Sequence, residues 1–196
     1  MPTANSQQPI VINDIAVIIL AAGQGKRIGT PKWKLKIKEK TFLDIIYDKL
    51  KEVGINNIYC TYRKESLPDK QDIEYIINET PEYGMISSIY YGIQNTPKFS
   101  GYMIWPVDHP FTSIETLSVL YEEFKNKQNM IRPVYSNRGG HPIIIPHKFA
   151  DKIPVDYEGG IKNFFIENNI SIQDIEVNDP DIKSNINYKE NLAKYI

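Results

Sequence analysis

Apolar residues along the chain group into short runs that alternate with segments of helical spacing. The runs at residues 15–20 and 102–107 are apolar at almost every position, which is typical of strands buried on both faces of a parallel sheet. Further strands are predicted at residues 55–62, 72–77, 130–135, 142–145 and 172–177. Residues 136–140, between two of these strands, are rich in turn-forming residues and indicate a hairpin or a return strand.

Helices are predicted between the strands. Thr41 caps a helix whose apolar residues keep helical spacing up to Gly54, and Thr112 with Glu115 forms a capping-box pattern before a helix that ends near residue 125. The other helices are predicted at residues 84–95, 160–168 and 188–195. This alternation predicts an α/β fold in which an open, mostly parallel sheet carries helices on both faces. Ligands of such folds bind outside the carboxyl ends of the strands.

The chain has the length of one domain, 196 residues, of which 41% are hydrophobic and 24% charged. We expect a flexible tail at residues 1–14 and a single domain at residues 15–196. The net charge of −1 gives no general attraction to nucleic acid or to an anionic membrane. No run approaches membrane-spanning length, so a cytoplasmic protein is expected. The single cysteine, Cys60, lies in a predicted strand, which favours a core residue over a reactive thiol.

A glycine-rich loop follows the first strand. Gly23, Gly25 and Gly29 let backbone N–H groups approach anionic oxygens. Cations that compensate phosphate charge follow in and beside the loop: Lys26, Arg27, Lys32 and Lys34. The loop is not a P-loop, because Arg27 stands where Ser or Thr is required, and it lacks the dinucleotide spacing G-x-G-x-x-G. The pattern therefore predicts a polyphosphate site of another kind.

Residues 20–32 resemble the signature of the MobA-like nucleotidyltransferase family, which reads L-A-(A/G)-G, three residues, R-(M/I)-G, two residues and K. The resemblance implies a Rossmann-like three-layer α/β/α sandwich of the nucleotide-diphospho-sugar transferase type. It also implies transfer of a nucleotidyl group from a nucleoside triphosphate with release of pyrophosphate. By this resemblance Arg27 and Lys32 are catalytic. The nucleotide-binding residues in the loop are Leu20, Ala21, Ala22, Gly23 and Gly25.

Two later segments extend the resemblance on the nucleotide side. Gly84, Ser87 and Ser88 match a glycine and a serine-bearing helix start, which in the family line the base and ribose; an ordinary capped helix is the alternative. Asp108 matches the aspartate of the D-x-P segment, which holds the catalytic Mg²⁺, with Mn²⁺ as a possible substitute. One carboxylate at a strand end suits a hard cation that takes further ligands from phosphates and water. A turn residue between prolines is the alternative.

Two other segments match the family on the acceptor and metal sides. Arg138 and His141 fall in a G-H-P segment, and with His109 they are predicted to contact an anionic acceptor; a hydrogen-bonded structural histidine is the alternative for His141. Asn187 lies in a closing segment that departs from the family pattern N/D-I-N/D-T-P-E-D-L at three positions. Its amide oxygen is a candidate second metal ligand, and a helix cap is the alternative.

The predicted reaction moves a nucleoside monophosphate to a phosphorylated small molecule such as a molybdopterin-type cofactor. Ala22 favours CTP as the donor, because L-A-A-G resembles the cytidylyltransferase branch more than the guanylyltransferase branch. A sugar phosphate or another phosphorylated metabolite is an alternative acceptor. The altered closing segment also leaves open a non-catalytic nucleotide-binding regulatory domain, and a structural α/β domain is the third reading. The sequence identifies neither a partner metalloenzyme nor an oligomeric state.

Overall fold

The computed structural model describes residues 12–26, 28–68, 70 and 72–186. Its strands are β1 (Ile15–Leu20), β2 (Lys36–Ile37), β3 (Lys40–Thr41), β4 (Ile58–Tyr62), β5 (Glu74–Ile77), β6 (Gly101–Pro106), β7 (Ile131–Tyr135), β8 (Arg138–Gly139), β9 (Ile143–Pro146) and β10 (Gln173–Glu176). Its helices are α1 (Phe42–Glu52), α2 (Met85–Gln94), α3 (Ile114–Lys127), α4 (His147–Ala150) and α5 (Gly160–Glu167). Every strand and helix predicted within the described residues is present, with ends shifted by up to three residues. The helix predicted at residues 188–195 lies outside them.

The central sheet has the strand order β10-β7-β9-β6-β1-β4-β5, and β8 pairs with β7. β1 is parallel to β4 and β6, β5 is parallel to β4, and β10 is parallel to β7. Only β9 among the long strands is reversed, and it runs antiparallel to both β6 and β7. The predicted α/β class with a mostly parallel central sheet is confirmed, and the antiparallel strand β9 makes the sheet mixed. The carboxyl ends of β1, β4 and β6 therefore meet at one edge.

Two helical layers cover the sheet, because alternate residues of a strand point to opposite faces. On one face Ile19 and Trp105 pack in a core that includes residues of α1 and α3. On the other face Ile18 and Ile104 pack in a core that includes residues of α2 and α5. A Cβ at Gly92 would lie 2.5 Å from the Ile18 side chain, so this glycine lets α2 approach β1 closely. Burial of each of these large side chains contributes about 1.5–3 kcal/mol.

The start of α3 differs from the prediction by one residue. The cap is Ser113, whose side chain accepts from Thr116 N, and not Thr112. Thr112 Oγ1 instead donates to the carbonyl of His141 at 2.9 Å. Asp179 fixes this start, because its Oδ2 accepts from Ser113 N at 2.7 Å and from Thr116 Oγ1 at 2.9 Å. At α1 the predicted Thr41 cap is confirmed, with Asp44 completing a capping box.

Part of the predicted tail at residues 1–14 is packed against the sheet. Ile12 is 4% exposed and donates its backbone N–H to the Gly54 carbonyl at 2.9 Å. Asp14 Oδ1 accepts from the Tyr121 hydroxyl at 2.9 Å. Residues Ile12 and Asp14, which are predicted to belong to the tail, therefore make contacts with the domain. Cys60 is fully buried, as expected of a core residue, and burial raises the pKa of its thiol.

None of the helices in the described part of the chain has the length and apolar character that a membrane crossing requires.

Candidate active site

A cavity of about 460 Å³ opens at the carboxyl edge of the sheet. Its walls come from the loop after β1, from Arg63 after β4, from the segment 81–88 around the start of α2, and from the end of β6 at residues 106–108. The volume lies in the range of small-molecule sites. The cavity stands where the topology of a mostly parallel sheet predicts a ligand.

The loop after β1 forms one wall with its backbone. Gly25 makes the turn: it has a φ of 62°, and its carbonyl accepts from the N–H groups of Ile28 and Gly29, each at 2.9 Å. A Cβ at Gly25 would lie 1.8 Å from the Thr30 carbonyl oxygen, whereas a Cβ at Gly23 would meet nothing within 4 Å. Gly23 thus offers open space to a ligand, and Gly25 shapes the loop that offers it. Arg27 lies outside the described residues.

Of the three loop residues Leu20, Ala21 and Ala22, which are predicted to bind the nucleotide, Leu20 and Ala22 line the cavity and Ala21 does not. Ala21 is 3% exposed and packs in the core, and its backbone N–H donates to the Thr61 carbonyl at 2.9 Å. This hydrogen bond extends the pairing of β1 with β4 beyond Leu20. Ala21 therefore anchors the loop to the sheet.

Lys32 and Asp108 meet at the cavity wall. Lys32 Nζ lies 2.6 Å from Asp108 Oδ2, and the two side chains are 21% and 15% exposed. Lys32 begins a short 3-10 turn whose next residue, Trp33, is buried and donates Nε1–H to Ser66 Oγ at 3.0 Å. Asp108 follows β6, as predicted. The ion pair joins two motifs that stand 76 residues apart.

The donor set at Asp108 fits a divalent ion of the kind the resemblance implies. Its carboxylate is a hard oxygen ligand that already faces a cation, and Mg²⁺ is commonly held by one or two carboxylates with phosphates supplying other ligands. Within residues 12–26, 28–68, 70 and 72–186, no group of three His, Cys, Asp or Glu side chains could hold a metal ion. Asn187 lies outside the described residues. An ion at Asp108 would thus draw most of its ligands from a bound phosphate and from water.

The two serines at the start of α2 face different ways, which corrects the prediction for one of them. Gly84 and Ser88 line the cavity. Ser87 is completely buried and donates to the Gly84 carbonyl at 2.9 Å. Asn78, which sequence reasoning missed, donates Nδ2–H to Ser87 Oγ at 3.0 Å and to Ser88 Oγ at 2.8 Å. Ser87 therefore supports the helix start from behind, away from the nucleotide position predicted for it.

His109 and His141 form a buried pair beside Asp108. Their ring centroids lie 4.8 Å apart. Burial lowers the pKa of both imidazoles. For His141, burial and the neighbouring His109 together lower the pKa to about 4, against the opposing effect of Asp108. Both rings are consequently neutral near pH 7. Neither histidine is among the residues that line the cavity, and Arg138 is exposed on β8. The structure thus brings the two histidines, but not Arg138, next to the metal candidate.

Arg63 is a cavity residue that sequence reasoning missed. It directly follows β4, and its Nε–H donates to the Ala22 carbonyl at 3.4 Å. The bond ties the guanidinium to the glycine loop, within reach of any anion or base in the cavity. The signal that could have found it is its place: a cation at the carboxyl end of the strand next to β1.

Comparison with known proteins agrees with this geometry. The model of the MobA-like NTP transferase domain family matches residues 17–169. A probable molybdenum cofactor guanylyltransferase of Natranaerobius thermophilus is 26% identical over 140 residues, which cover 69% of this chain and 68% of that protein. A protein of the same name from Bacillus mycoides is 28% identical over 131 residues, which cover 63% of each chain. These names give no support to the sequence-based preference for CTP.

Solved structures share the whole architecture. Rv0371c from Mycobacterium tuberculosis H37Rv superposes with a TM-score of 0.78 at 17% identity, over 95% of this chain and 98% of that one. The same protein has been solved in complex with manganese, with a TM-score of 0.70 at 14% identity over 93% of this chain and 98% of that one. At such identities the likeness shows the fold alone. Since the family model spans most of the chain and its signature loop forms the wall of the cavity, the chain belongs to the MobA-like NTP transferase family.

Proposed function

We infer that this MobA-like nucleotidyltransferase moves a nucleoside monophosphate from a nucleoside triphosphate to a phosphorylated small molecule and releases pyrophosphate. The observation that carries the proposal is the Lys32–Asp108 pair, 2.6 Å apart at the wall of a cavity that the glycine loop also lines. A cation next to a carboxylate that can bind a metal ion suits a reaction in which a highly charged phosphate is transferred from one group to another.

In the proposed reaction, an acceptor phosphate oxygen attacks the α-phosphorus in line. The new O–P bond forms as the bond to the pyrophosphate oxygen breaks, and pyrophosphate leaves with that electron pair. Backbone N–H groups around Gly23 would hold the triphosphate, while Lys32 neutralises charge that grows on the leaving oxygens. Arg27 is proposed for the same task. An acceptor that is already ionised needs no general base, and the lowered pKa values of the nearby histidines make them weak bases.

Asp108 is proposed to hold Mg²⁺, with Mn²⁺ as a substitute and Asn187 as a second ligand. When bound, the ion would stabilise the negative charge that develops at the reacting phosphate. The manganese complex of Rv0371c supports a divalent ion. Lys32 forms an ion pair with the Asp108 carboxylate. Its ammonium would therefore turn toward the phosphates when the triphosphate and the ion bind together.

GTP is the first donor to test, in place of CTP. The relatives at 26% and 28% identity are named molybdenum cofactor guanylyltransferases, whereas the preference for CTP rests on Ala22 alone. Arg63 adds a physical reason, because a guanidinium can donate two hydrogen bonds to guanine O6 and N7. We therefore propose that Arg63 contacts the base.

A molybdopterin-type compound is the first acceptor to test, on the strength of the relatives' names. The acceptor would approach from the side of His109 and His141, which lie beside Asp108. Arg138, exposed on the neighbouring β8, is proposed to meet its phosphate from outside the cavity. Sugar phosphates are the comparison compounds.

The test measures pyrophosphate release for each of the four nucleoside triphosphates with Mg²⁺ and with each acceptor. We expect release to require both the acceptor and the metal, and to be fastest with GTP. Faster release with CTP would overturn the choice of donor and restore the role proposed for Ala22. A triphosphate that raises the melting temperature without any release of pyrophosphate would contradict the enzyme and favour a regulatory domain.

A further inference from the structure

The segment that carries Asp108 is held from outside by several donors. Its backbone carbonyls accept hydrogen bonds in sequence: that of Asp108 from Ile186 N at 3.1 Å, and that of His109 from Trp105 Nε1 at 2.9 Å. Two further bonds come from a single side chain, since Lys49 Nζ donates to the Pro110 carbonyl at 3.0 Å and to the Thr112 carbonyl at 2.7 Å. Lys49 thus holds the connection between β6 and α3 at two points.

Lys49 stands in the last turn of α1, in the helical layer below the site. Removing an ammonium from water is costly unless hydrogen bonds replace its hydration. The two carbonyls supply such bonds, and burial lowers the pKa of Lys49 while nearby carboxylates oppose that shift. These carboxylates are Asp179, Asp181 and Glu115. The two carbonyl acceptors and these carboxylates therefore offset part of the cost of burying the ammonium that donates to the segment.

The location of these two bonds matters for Asp108. Pro110 is two residues beyond Asp108, and Thr112 directly precedes the Ser113 cap of α3. Without Lys49 both carbonyls would have to turn to water, and the backbone between the strand and the helix would lose a common anchor. A displacement of about 1 Å at a reacting group can cost about a hundredfold in rate. Small movements of this segment would therefore reach the carboxylate.

We propose that Lys49 is a positioning residue for Asp108. By holding the Pro110 and Thr112 carbonyls, it keeps the Asp108 carboxylate at the place where Lys32 and the glycine loop meet it. The proposal rests on the proposed function of Asp108 as the metal-holding residue. It concerns a residue that touches neither the cavity nor Asp108 itself.

The experiment compares Lys49→Met, which keeps the stem and removes the ammonium, with Lys49→Arg, which restores a donor. Lys51→Met on the same helix is the matched control, because Lys51 is exposed and its ammonium contacts Asn56. Three quantities are measured on the full chain: amide hydrogen exchange at residues 107–113, Mn²⁺ binding with the triphosphate by electron paramagnetic resonance, and the kinetic constants kcat and KM. Thermal unfolding gives the folded fraction of each variant, and Lys49→Gln replaces the Met variant if that one does not fold.

For Lys49→Met we expect faster exchange in residues 107–113 and a tenfold to hundredfold loss in kcat and Mn²⁺ affinity, as for other residues that orient a metal ligand. The KM for the triphosphate should change less than about twofold, because the glycine loop is untouched. Lys49→Arg should recover much of the loss, and Lys51→Met should match the wild type.

Unchanged amide exchange in Lys49→Met would show that Lys49 does not hold the segment, and would overturn the proposal. Faster exchange with unchanged kcat and Mn²⁺ affinity would show that Lys49 stabilises the segment without positioning Asp108, which would also overturn it. An equal loss in Lys51→Met would also overturn the proposal. A wild-type protein that neither turns over nor binds Mn²⁺ would instead refute the proposed function, and this result appears before any variant is compared.

Discussion

The two segments that face each other across the cavity are built in opposite ways. The loop after β1 presents backbone and exposed residues such as Gly23, Gln24 and Lys26, and its own turn at Gly25 shapes it. The segment after β6 is instead held by side-chain donors that bind its carbonyls: Lys49 from α1, and Trp105 from the preceding strand β6. The loop after β1 is shaped by its own glycine turn, whereas the segment after β6 is held by side chains that lie outside it.

This difference matches what each wall would have to do. A triphosphate carries its charge over many oxygens, so a loop of N–H groups and cations can hold it in a tolerant way. A single carboxylate that fixes a metal must stand at one point, because reaction geometry depends on it. Lys32 and Asp108, 2.6 Å apart, are where the two walls touch.

Among the changes considered, Asp108→Asn, in the segment after β6, should cause the largest loss of turnover. The amide keeps the shape but loses the charge that would hold the metal, so turnover should fall by about a hundredfold to a thousandfold. The side chain is only partly buried, and loss of its ion pair should lower the free energy of unfolding by about 1 kcal/mol or less. Pyrophosphate release and urea unfolding measure the two effects. Turnover at the wild-type rate would remove Asp108 from the mechanism.

Lys32→Met tests the point of contact between the walls. Loss of a charge-assisted contact should weaken triphosphate binding by about 1.5–3 kcal/mol, or about tenfold to a hundredfold. The same change leaves Asp108 without its ammonium partner, so Mn²⁺ should bind more tightly to the nucleotide-free protein. Calorimetric titrations with each ligand check both directions. Lys36→Met, on the exposed face of β2, serves as the control, and weaker Mn²⁺ binding in the Lys32 variant would contradict the expectation.

A pair of glycine variants separates the shape of the loop from the space it offers. Gly25→Ala should destabilise the loop by about 2–3 kcal/mol, because the new Cβ meets the Thr30 carbonyl and the φ is positive. Gly23→Ala meets nothing in the protein, so it should leave the melting temperature unchanged and weaken triphosphate binding by about 1–2 kcal/mol through contact with the ligand. Thermal unfolding with and without triphosphate distinguishes the two. Equal melting temperatures for both variants would argue against this division of roles.

The buried pair of His109 and His141 should make the free energy of unfolding depend on pH. The pKa of His141 is about 4 in the folded protein, below the value of about 6.5 expected when unfolded. Because the unfolded chain binds the proton more tightly, the stabilisation from neutral His141 is complete above about pH 6.5 and is lost as the pH falls toward 4. Urea unfolding should give about 2 kcal/mol less at about pH 5 than at about pH 7.5 from this group alone. His141→Gln should reduce the difference, whereas a slope identical to the wild type would refute it; His147→Gln is the histidine control.

The loop after β1 can be predicted from the sequence better than the segment after β6. Spacing within residues 20–32 is local, so its glycines and Lys32 are readable, and Asp108 is readable because it ends an apolar strand. The contacts of Lys49 with Pro110 and Thr112 join residues 61 and 63 positions apart, and no local pattern records them. Asp179 moves the cap of α3 from Thr112 to Ser113 in the same long-range way.

The direction in which a side chain points is also hard to predict from sequence at the start of a helix. Ser87 and Ser88 are adjacent, yet only Ser88 reaches the cavity, because Asn78 and the Gly84 carbonyl take Ser87 from behind. The rotation of the helix about its axis decides which serine points into the cavity. A motif that contains both serines does not specify that rotation. Arg63 is missed for a related reason, since its bond to Ala22 joins two loops.

The reversed strand β9 has a consequence for how this site is built. Because Ile143 lies opposite Ile104 in antiparallel register, the chain enters β9 at the edge where it leaves β6, and His141 meets His109 there. An all-parallel sheet would furnish this edge only with residues that depart from strands. Here a segment that enters a strand borders the side proposed for the acceptor. The exposed hairpin at residues 136–139, which precedes it, is separate in the chain from the glycine loop. Under the proposed function, the donor and the acceptor would therefore be bound by separate segments, one that leaves a strand and one that enters a strand.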